Sequence, residues 1–79
     1  MELWIRSQDR DYLEKVEKIY FWKVSHGQYA IEGNGELGRY KTEKRALEVL
    51  DEIQRLMKAS LIDKNLDGYG IVIYEMPKE

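Results

Sequence analysis

Hydrophobic residues fill both alternating faces of residues 70–76, a stretch near the end of the chain. Successive side chains of a β-strand point to opposite sides of the sheet, so Ile71 and Ile73 share one side. Val72 and Tyr74 share the other side. A strand that is apolar on both sides is expected to be buried on both sides. Because the sequence shows only one helical pattern, we expect a second molecule to cover the far side of the sheet.

Two β-type patterns occur in the first third of the chain. Residues 3–6 form a short run that ends where polar turn residues follow. Residues 15–24 begin with a mixed period and end strongly β-like, with Tyr20 and Trp22 on one face and Phe21 on the other. Both faces of this second run are also apolar, which again predicts more sheet surface than one helix can cover.

Residues 33–35, with the sequence Gly-Asn-Gly, give the clearest turn signal in the chain. Such a sequence favours a tight hairpin, which predicts antiparallel pairing between strands at residues 29–31 and 37–40. With the other runs, this predicts an antiparallel sheet of four or five strands.

The period changes to that of a helix at residues 42–59. Thr42 is suited to cap the first turn, and Glu43 favours the positive end of the helix dipole. One stripe is apolar and is expected to face the sheet: Ala46, Val49, Leu50, Ile53, Leu56 and Met57. The opposite side is charged and is expected to face water: Lys44, Glu48, Asp51, Glu52, Arg55 and Lys58. The predicted fold is therefore α+β, an antiparallel four- or five-stranded sheet with one long helix packed on one face.

Length and composition narrow the class of protein. Residues 1–79 are expected to form a single domain, and a chain this short buries only about 60–65% of its unfolded surface. There is no Cys and only one His, so neither disulfides nor a zinc site built from Cys or His can stabilise one copy. Association of copies is the remaining means, and we expect a homo-oligomer, most simply a dimer.

The charge balance argues against nucleic acid and acidic membranes as partners, and the hydropathy pattern argues against a membrane span or a secretion signal. Thirteen Lys plus Arg stand against 15 Asp plus Glu, which argues against binding of a nucleic-acid polymer or an acidic membrane by the overall field. Apolar runs are far shorter than the roughly 20 residues that cross a bilayer, and the charged start has no secretory h-region. We expect a cytoplasmic protein without a cofactor.

One segment resembles the start of a calcium-binding loop. Residues 63–68 follow the spacing of acidic residues, Asn and Gly with which such loops begin. The position that should supply the bidentate carboxylate is Tyr74, and a strand follows where a helix should. We therefore interpret the segment as a turn and expect no metal site.

No catalytic arrangement is visible either. His26 and Ser25 are adjacent on the chain, so their side chains point apart, and no third group orients them. The paired carboxylates Glu14 and Glu17 are expected to be exposed in a charged stretch. A small nucleotide phosphodiesterase would need a base or a metal that the sequence does not display, so we predict a protein that is not an enzyme.

Cations and aromatic residues concentrate in a way that suits a small nucleotide. A helix start with Lys41 and Arg45 beside it offers partners to phosphate oxygens, and Arg next to aromatic rings can bind both a phosphate and a base. The alternative is structural, with Arg45 paired to Glu48 and the Trp side chains in the core. The predicted ligand-binding residues are Trp4, Arg6, Gln8, Trp22, Arg39, Tyr40, Lys41, Thr42, Arg45 and Tyr74.

Three segments resemble short phage and prophage proteins of Gram-positive bacteria: 4–8 (WIRSQ), 37–53 (LGxYKTxxRALEVLDEI) and 74–77 (YEMP). The resemblance covers both ends and the helix, but not roughly residues 11–36. Short oligomeric phage proteins of this kind include immune-signal sponges such as the Sequestin and Lockin families, which bind ADP-ribose-derived messengers made by TIR enzymes. The resemblance implies counter-defence by sequestration, with a ligand held between subunits and not turned over.

Two functional hypotheses follow. In the first, the chain is a homo-oligomeric phage protein that binds and sequesters a nucleotide immune signal, with the cations on the phosphates and Trp4 or Trp22 on the base. In the second, the aromatic sheet face docks a host protein and inhibits it.

Overall fold

The computed structural model of the chain describes residues 2–62 and 70–79, with the side chains of residues 60–62 excepted. Six strands, one helix and a 3₁₀ turn are found in this part of the chain. In order they are β1 (Glu2–Arg6), β2 (Leu13–Val16), β3 (Tyr20–Lys23), the 3₁₀ turn (Ser25–Gly27), β4 (Tyr29–Glu32), β5 (Glu36–Tyr40), α1 (Glu43–Ile62) and β6 (Ile71–Glu75). The calcium-like segment at residues 63–68 lies outside the described residues.

The strands form two three-stranded sheets. In sheet A the order is β2-β1-β6, with β1 antiparallel to β2 and parallel to β6. In sheet B the order is β3-β4-β5 and both pairs are antiparallel. The α+β prediction is confirmed, including a helix that packs against sheet, and so is the hairpin between β4 and β5. The prediction of one antiparallel sheet of four or five strands is wrong.

The physical reason lies in the run at residues 15–24. It is interrupted at residues 17–19, and this break carries the chain from β2 in sheet A to β3 in sheet B. Exposed Glu17 and Lys18 mark the interruption, with neither Gly nor Pro to signal it. The parallel pairing of β1 with β6 joins the two ends of the chain, a long-range contact that no local pattern predicts.

Sheet A and sheet B are joined near the end of β1. The backbone N–H of Gln8 donates to the carbonyl of Leu37 over 2.7 Å, so the chain beyond β1 continues alongside β5. From β2, the Glu14 carboxylate accepts hydrogen bonds from the backbone N–H groups of Asn34 and Gly35. Glu14 is only 6% exposed, so the prediction that it is exposed is wrong, because the hairpin turn folds over its carboxylate.

Sheets and helix share one core. Its buried members are Leu3, Ile5, Val16, Ile31, Leu37, Tyr40, Ala46, Val49, Ile53, Val72 and Met76. The predicted apolar stripe of α1 is confirmed, since Leu50, Leu56 and Met57 also pack against this core. Thr42 caps the helix as predicted, its Oγ1 accepting the N–H of Arg45 over 3.1 Å. Burial of a large aliphatic side chain in such a core stabilises the fold by about 1.5–3 kcal/mol.

The far side of sheet A is not covered by the described part of the chain. Ile71 and Ile73 lie on one side of β6, as predicted, and this side points away from the core, with Ile73 62% exposed. We call this surface the outer face of sheet A. It consists of Glu2, Trp4, Arg6, Leu13, Lys15, Ile71, Ile73 and Glu75. Among the described residues, no helix has both the length and the apolar character needed to cross a membrane.

Candidate functional site

A cleft of about 290 Å³ lies where β5, the start of α1 and the last residues of the chain meet. It is lined by Gln28, Arg39, Tyr40, Lys41, Arg45, Lys78 and Glu79. We call it the cationic cleft, since four lining residues are Lys or Arg and one is acidic. Only Lys41 and Thr42 separate β5 from α1, so the chain turns sharply there and brings strand and helix residues together.

The four cations of the cleft differ in how far their charges are matched. Arg39 Nε donates to Glu36 over 2.9 Å. Arg45 lies 3.4 Å from Glu48 and 3.7 Å from Glu52, so the structural alternative is correct for this residue, and its Nε also donates to the main-chain oxygen of Glu79 over 2.9 Å. Lys41 and Lys78 form no ion pair within residues 2–59 and 70–79. Their charges are therefore the ones most open to an anion.

Two Tyr side chains brace the wall of the cleft. The buried Tyr40 hydroxyl donates to the Pro77 carbonyl over 2.7 Å, and burial raises the pKa of Tyr40 to about 12. The Tyr74 hydroxyl donates to Glu52 over 2.6 Å, and burial followed by this hydrogen bond raises the pKa of Tyr74 well above its usual range. Glu52 is thus not a purely solvated residue. Tyr74 does not line the cleft; its hydroxyl contacts Glu52, which in turn lies 3.7 Å from Arg45.

Gln8 does not line the cleft, but its side chain binds β5 and the chain end, two of the segments that do. Its amide nitrogen donates to the carbonyls of Arg39 (3.0 Å), Pro77 (3.3 Å) and Lys78 (2.7 Å). Its amide oxygen accepts the N–H of Arg39 over 2.9 Å. A Gln amide has two N–H donors and one carbonyl, so the three acceptors share two hydrogens and the side chain is fully engaged by the protein. The structure uses it to fasten the chain end beside β5.

Trp22 is an aromatic residue on the same sheet face as Arg39, one of the cleft cations. It pairs with Ala30, which pairs with Arg39, so Trp22 and Arg39 flank Ala30 on one face of sheet B. Two strand spacings of about 4.8 Å put their backbones roughly 10 Å apart. The Trp22 ring is 46% exposed, and its Nε1 donates to Glu32 over 2.8 Å.

Trp4 and Arg6 are not brought to the cleft. Both lie on the outer face of sheet A, where Trp4 Nε1 donates to Glu2 over 3.0 Å and Arg6 donates to the Arg10 carbonyl over 3.0 Å. The structure therefore gathers Arg39, Tyr40, Lys41 and Arg45 and separates the two Trp residues. Thr42 lies beside this group, with its hydroxyl engaged in the helix cap.

Sequence reasoning missed Lys78 and Gln28. Lys78 reaches the cleft because Gln8 and Tyr40 hold the chain end, and these contacts span 70 and 37 residues along the sequence. In the sequence, Pro77 indicated only that a strand ends, and did not indicate that Lys78 beyond it lines a cleft. Gln28 follows the 3₁₀ turn and carries no signal of its own.

Fold and cleft together define a small α+β protein with a depression at the start of its helix that is lined by four Lys and Arg residues and one Glu. Within the described residues, no three or more His, Cys, Asp or Glu side chains are grouped so that they could hold a metal ion. No known protein family, curated protein or solved structure matches the chain.

Proposed function

We propose that the chain is a non-enzymatic, homo-oligomeric protein that binds a small nucleotide through its phosphates in the cationic cleft. One observation carries the proposal: Lys41 and Lys78 lie without ion pairs in the described residues beside the partly matched Arg39 and Arg45. Like charges gathered in one depression are costly unless a counter-ion joins them. A phosphate supplies that counter-ion and accepts hydrogen bonds from Lys and Arg.

The size of the cleft favours one nucleotide unit. Its volume of about 290 Å³ is just below the range of small-molecule sites, which runs from about 300 to 1,000 Å³. A base that extends from the Arg39 end of the cleft would meet the exposed ring of Trp22, and base–aromatic stacking is worth about 1–3 kcal/mol. Trp22 is therefore the stacking residue in this proposal, and Trp4 is assigned to another surface.

Sequestration without turnover is the biological role we propose. The Tyr40 phenol, with a pKa of about 12, stays protonated at neutral pH and donates to Pro77, so it is not a base for hydrolysis. The resemblance to phage and prophage proteins adds the ligand class, an ADP-ribose-derived messenger, and the setting, the cytoplasm of an infected host cell. The protein would lower the free concentration of that messenger.

Calorimetric titration with ADP-ribose, its cyclic derivatives and cyclic dinucleotides tests the proposal, with adenosine as the ligand that lacks phosphate. We expect Lys41→Gln and Lys78→Gln each to weaken nucleotide binding about tenfold, which corresponds to about 1.4 kcal/mol. Lys58→Gln is the matched control, because it removes the same charge from an exposed site on α1. Adenosine should not bind measurably.

A flat response to every phosphorylated ligand would remove the proposal. So would equal weakening by Lys58→Gln, because that would make the effect one of overall charge. The ligand recovered after a long incubation should be intact by mass spectrometry, and steady conversion would show an enzyme instead.

The outer face of sheet A favours a second candidate, a module that docks and inhibits a host protein. Apolar side chains exposed together, such as Ile71 at 41% and Ile73 at 62% on one side of β6, are typical of protein-binding surfaces. Recovery of one stoichiometric host protein by the wild type and not by Ile73→Asp, with no small molecule released on heating, would favour docking over sequestration.

A further inference from the structure

We propose that the outer face of sheet A is a two-fold interface between two copies of this chain, in a register that places Arg6 of each copy opposite Glu2 of the other. The inference rests on the proposed homo-oligomer and makes it specific, since it names the surface, its register and its centre. The cationic cleft is lined by other residues, so the two sites can be tested separately.

The register of sheet A places Trp4 and Ile73 in the middle row of the face, between a row that contains Glu2 and Ile71 and a row that contains Arg6, Leu13 and Glu75. Trp4 pairs with Lys15 on one side and Ile73 on the other, which makes Trp4 and Ile73 the middle of the face. Glu2 lies two residues before Trp4 and Arg6 two residues after it, on the same face of β1. A half-buried Trp beside a well-exposed Ile is a suitable anchor, because aromatic residues dominate binding energy at the centres of interfaces.

Charge complementarity points to a second copy as the occupant. A two-fold axis in the interface, perpendicular to the strands and passing through Trp4 and Ile73, sets each of these residues against itself. The same operation sets Arg6 against Glu2 twice, as an isologous interface requires. Arg6 forms no ion pair in the described part of its own chain: it donates to the Arg10 carbonyl, and its cross-strand neighbour Glu75 is paired with Arg10. An acid on the facing copy would complete it.

The remaining charges of the face are compatible with this arrangement. Glu75 is held by Arg10 at 3.5 Å, and Lys15 lies 3.6 Å from Glu2. The axis also brings Lys15 towards Lys15, and Glu75 towards Ile71, of the second copy, but β2 and β6 are the edge strands of the face, where long charged side chains can turn their end groups into water. Sheets packed face to face lie about 10 Å apart, which suits the Trp4 and Ile73 side chains.

The size of the face sets the expected strength. Three strands about 4.8 Å apart and five residues of about 3.3 Å each cover roughly 14 by 16 Å. Such a footprint falls short of the standard interface of about 800 Å² per partner. We therefore expect a reversible dimer with a dissociation constant in the micromolar range, rather than an obligate one.

Analytical ultracentrifugation over protein concentrations from about 1 to 500 µM, with charge-swap variants, tests the interface. We expect a concentration-dependent dimer for the wild type and monomers for Arg6→Glu alone and for Glu2→Arg alone. The double variant carrying both changes should dimerise again. An equimolar mixture of the two single variants should give a heterodimer, because each then offers the charge that the other needs.

Two further variants complete the design. Ile73→Asp should abolish the dimer. Arg55→Glu is the control for Arg6→Glu and should leave the dimer unchanged, because it makes the same charge change at an exposed position of α1. Thermal unfolding of each variant confirms that it is folded. A wild type that stays monomeric at the highest concentration would overturn the inference, as would single charge variants that still dimerise, or a mixture of the two that stays monomeric.

The test of the interface can be distinguished from the test of nucleotide binding. Arg6→Glu should keep the wild-type affinity for nucleotide, because neither Arg6 nor Glu2 lines the cleft. Dimerisation without nucleotide binding would overturn the proposed ligand and leave the interface standing. Nucleotide binding by a wild-type protein that stays monomeric would overturn the interface and leave the proposed ligand standing.

Discussion

At the scale of single residues, Glu14 shows how a charged side chain can become part of a small core. Its two carboxylate oxygens share the backbone N–H of Asn34, at 3.0 and 3.2 Å, and Oε1 also accepts the N–H of Gly35 at 3.3 Å. Gly33 lies against Oε1 as well. A carboxylate that accepts several backbone N–H groups keeps its charge satisfied when water is removed. Glu14 thereby ties β2 of sheet A to the hairpin turn of sheet B.

Removal of this carboxylate should destabilise the protein. We expect Glu14→Ala to lower the free energy of unfolding by about 2 kcal/mol, because charge-assisted hydrogen bonds contribute about 1.5–3 kcal/mol. Glu17→Ala, three residues away and exposed, is the matched control and should change stability by less than about 0.5 kcal/mol. Urea unfolding at neutral pH measures both, and equal losses would contradict the role given to Glu14.

Gly33 supplies an independent check on the same contact. A Cβ at this position would lie 2.9 Å from the Glu14 Oε1 atom, too close unless the carboxylate moves away. Gly33→Ala should therefore cost more stability in the wild type than in a Glu14→Ala background. Identical costs in the two backgrounds would show that the carboxylate does not fill this space.

At the scale of elements, the sequence patterns predicted the features that depend on contacts between residues close together in the sequence. The Thr42 cap, the inward stripe of α1 and the hairpin at residues 33–35 all depend on neighbours within a few residues, and each is confirmed. The division into two sheets depends on a three-residue break at 17–19 that carries no Gly or Pro. The β1–β6 pairing joins residues about 70 positions apart, so no window of sequence contains it.

The contact between β5 and the chain end should respond to alkaline pH through Tyr40. Its pKa is raised by burial to about 12 from 10, so the folded state holds the phenol proton after the unfolded state has lost it. The stability that this proton contributes is complete below about pH 10 and is lost as the pH rises towards 12. We expect a loss of about 1 kcal/mol between pH 9 and pH 11 from this group.

The comparison of wild type with Tyr40→Phe isolates that loss from other titrating groups. At pH 7 the variant should be less stable by about 1 kcal/mol, because the hydrogen bond to Pro77 is gone. The difference should be the same at pH 7 and pH 9 and should shrink at pH 11. Unfolding curves in urea that keep a constant difference up to pH 11 would contradict the raised pKa as the cause.

At the scale of the whole molecule, the candidate site could be predicted only where it is continuous in sequence. Arg39, Lys41 and Arg45 meet because one strand ends and the helix starts within a few residues, and the sequence shows that directly. Lys78 joins them through the return of the chain end, which no local pattern shows. Trp4 was predicted to stack on the ligand, but its place on the outer face of sheet A depends on strand pairing that the sequence leaves open.

Gln8 connects these parts, since one amide joins the end of β1 to β5 and to the chain end. We expect Gln8→Glu to lower the free energy of unfolding by about 2–4 kcal/mol, because a carboxylate would face three carbonyl oxygens with no hydrogen to donate. The carbonyls of Pro77 and Lys78 would be released, so nucleotide binding in the cationic cleft should weaken as well. Dimerisation should persist, because the outer face of sheet A lies elsewhere.

Gln54→Glu is the matched control for this change, since it adds the same charge at an exposed position of α1. Urea unfolding and nucleotide titration of the two variants separate an effect of position from an effect of net charge. A Gln8→Glu protein as stable as the control would mean that the Tyr40 and Arg45 contacts alone hold the chain end. In that case, Tyr40→Phe combined with Gln8→Glu should cost more than the sum of the two single changes, because each contact would be compensating for the other.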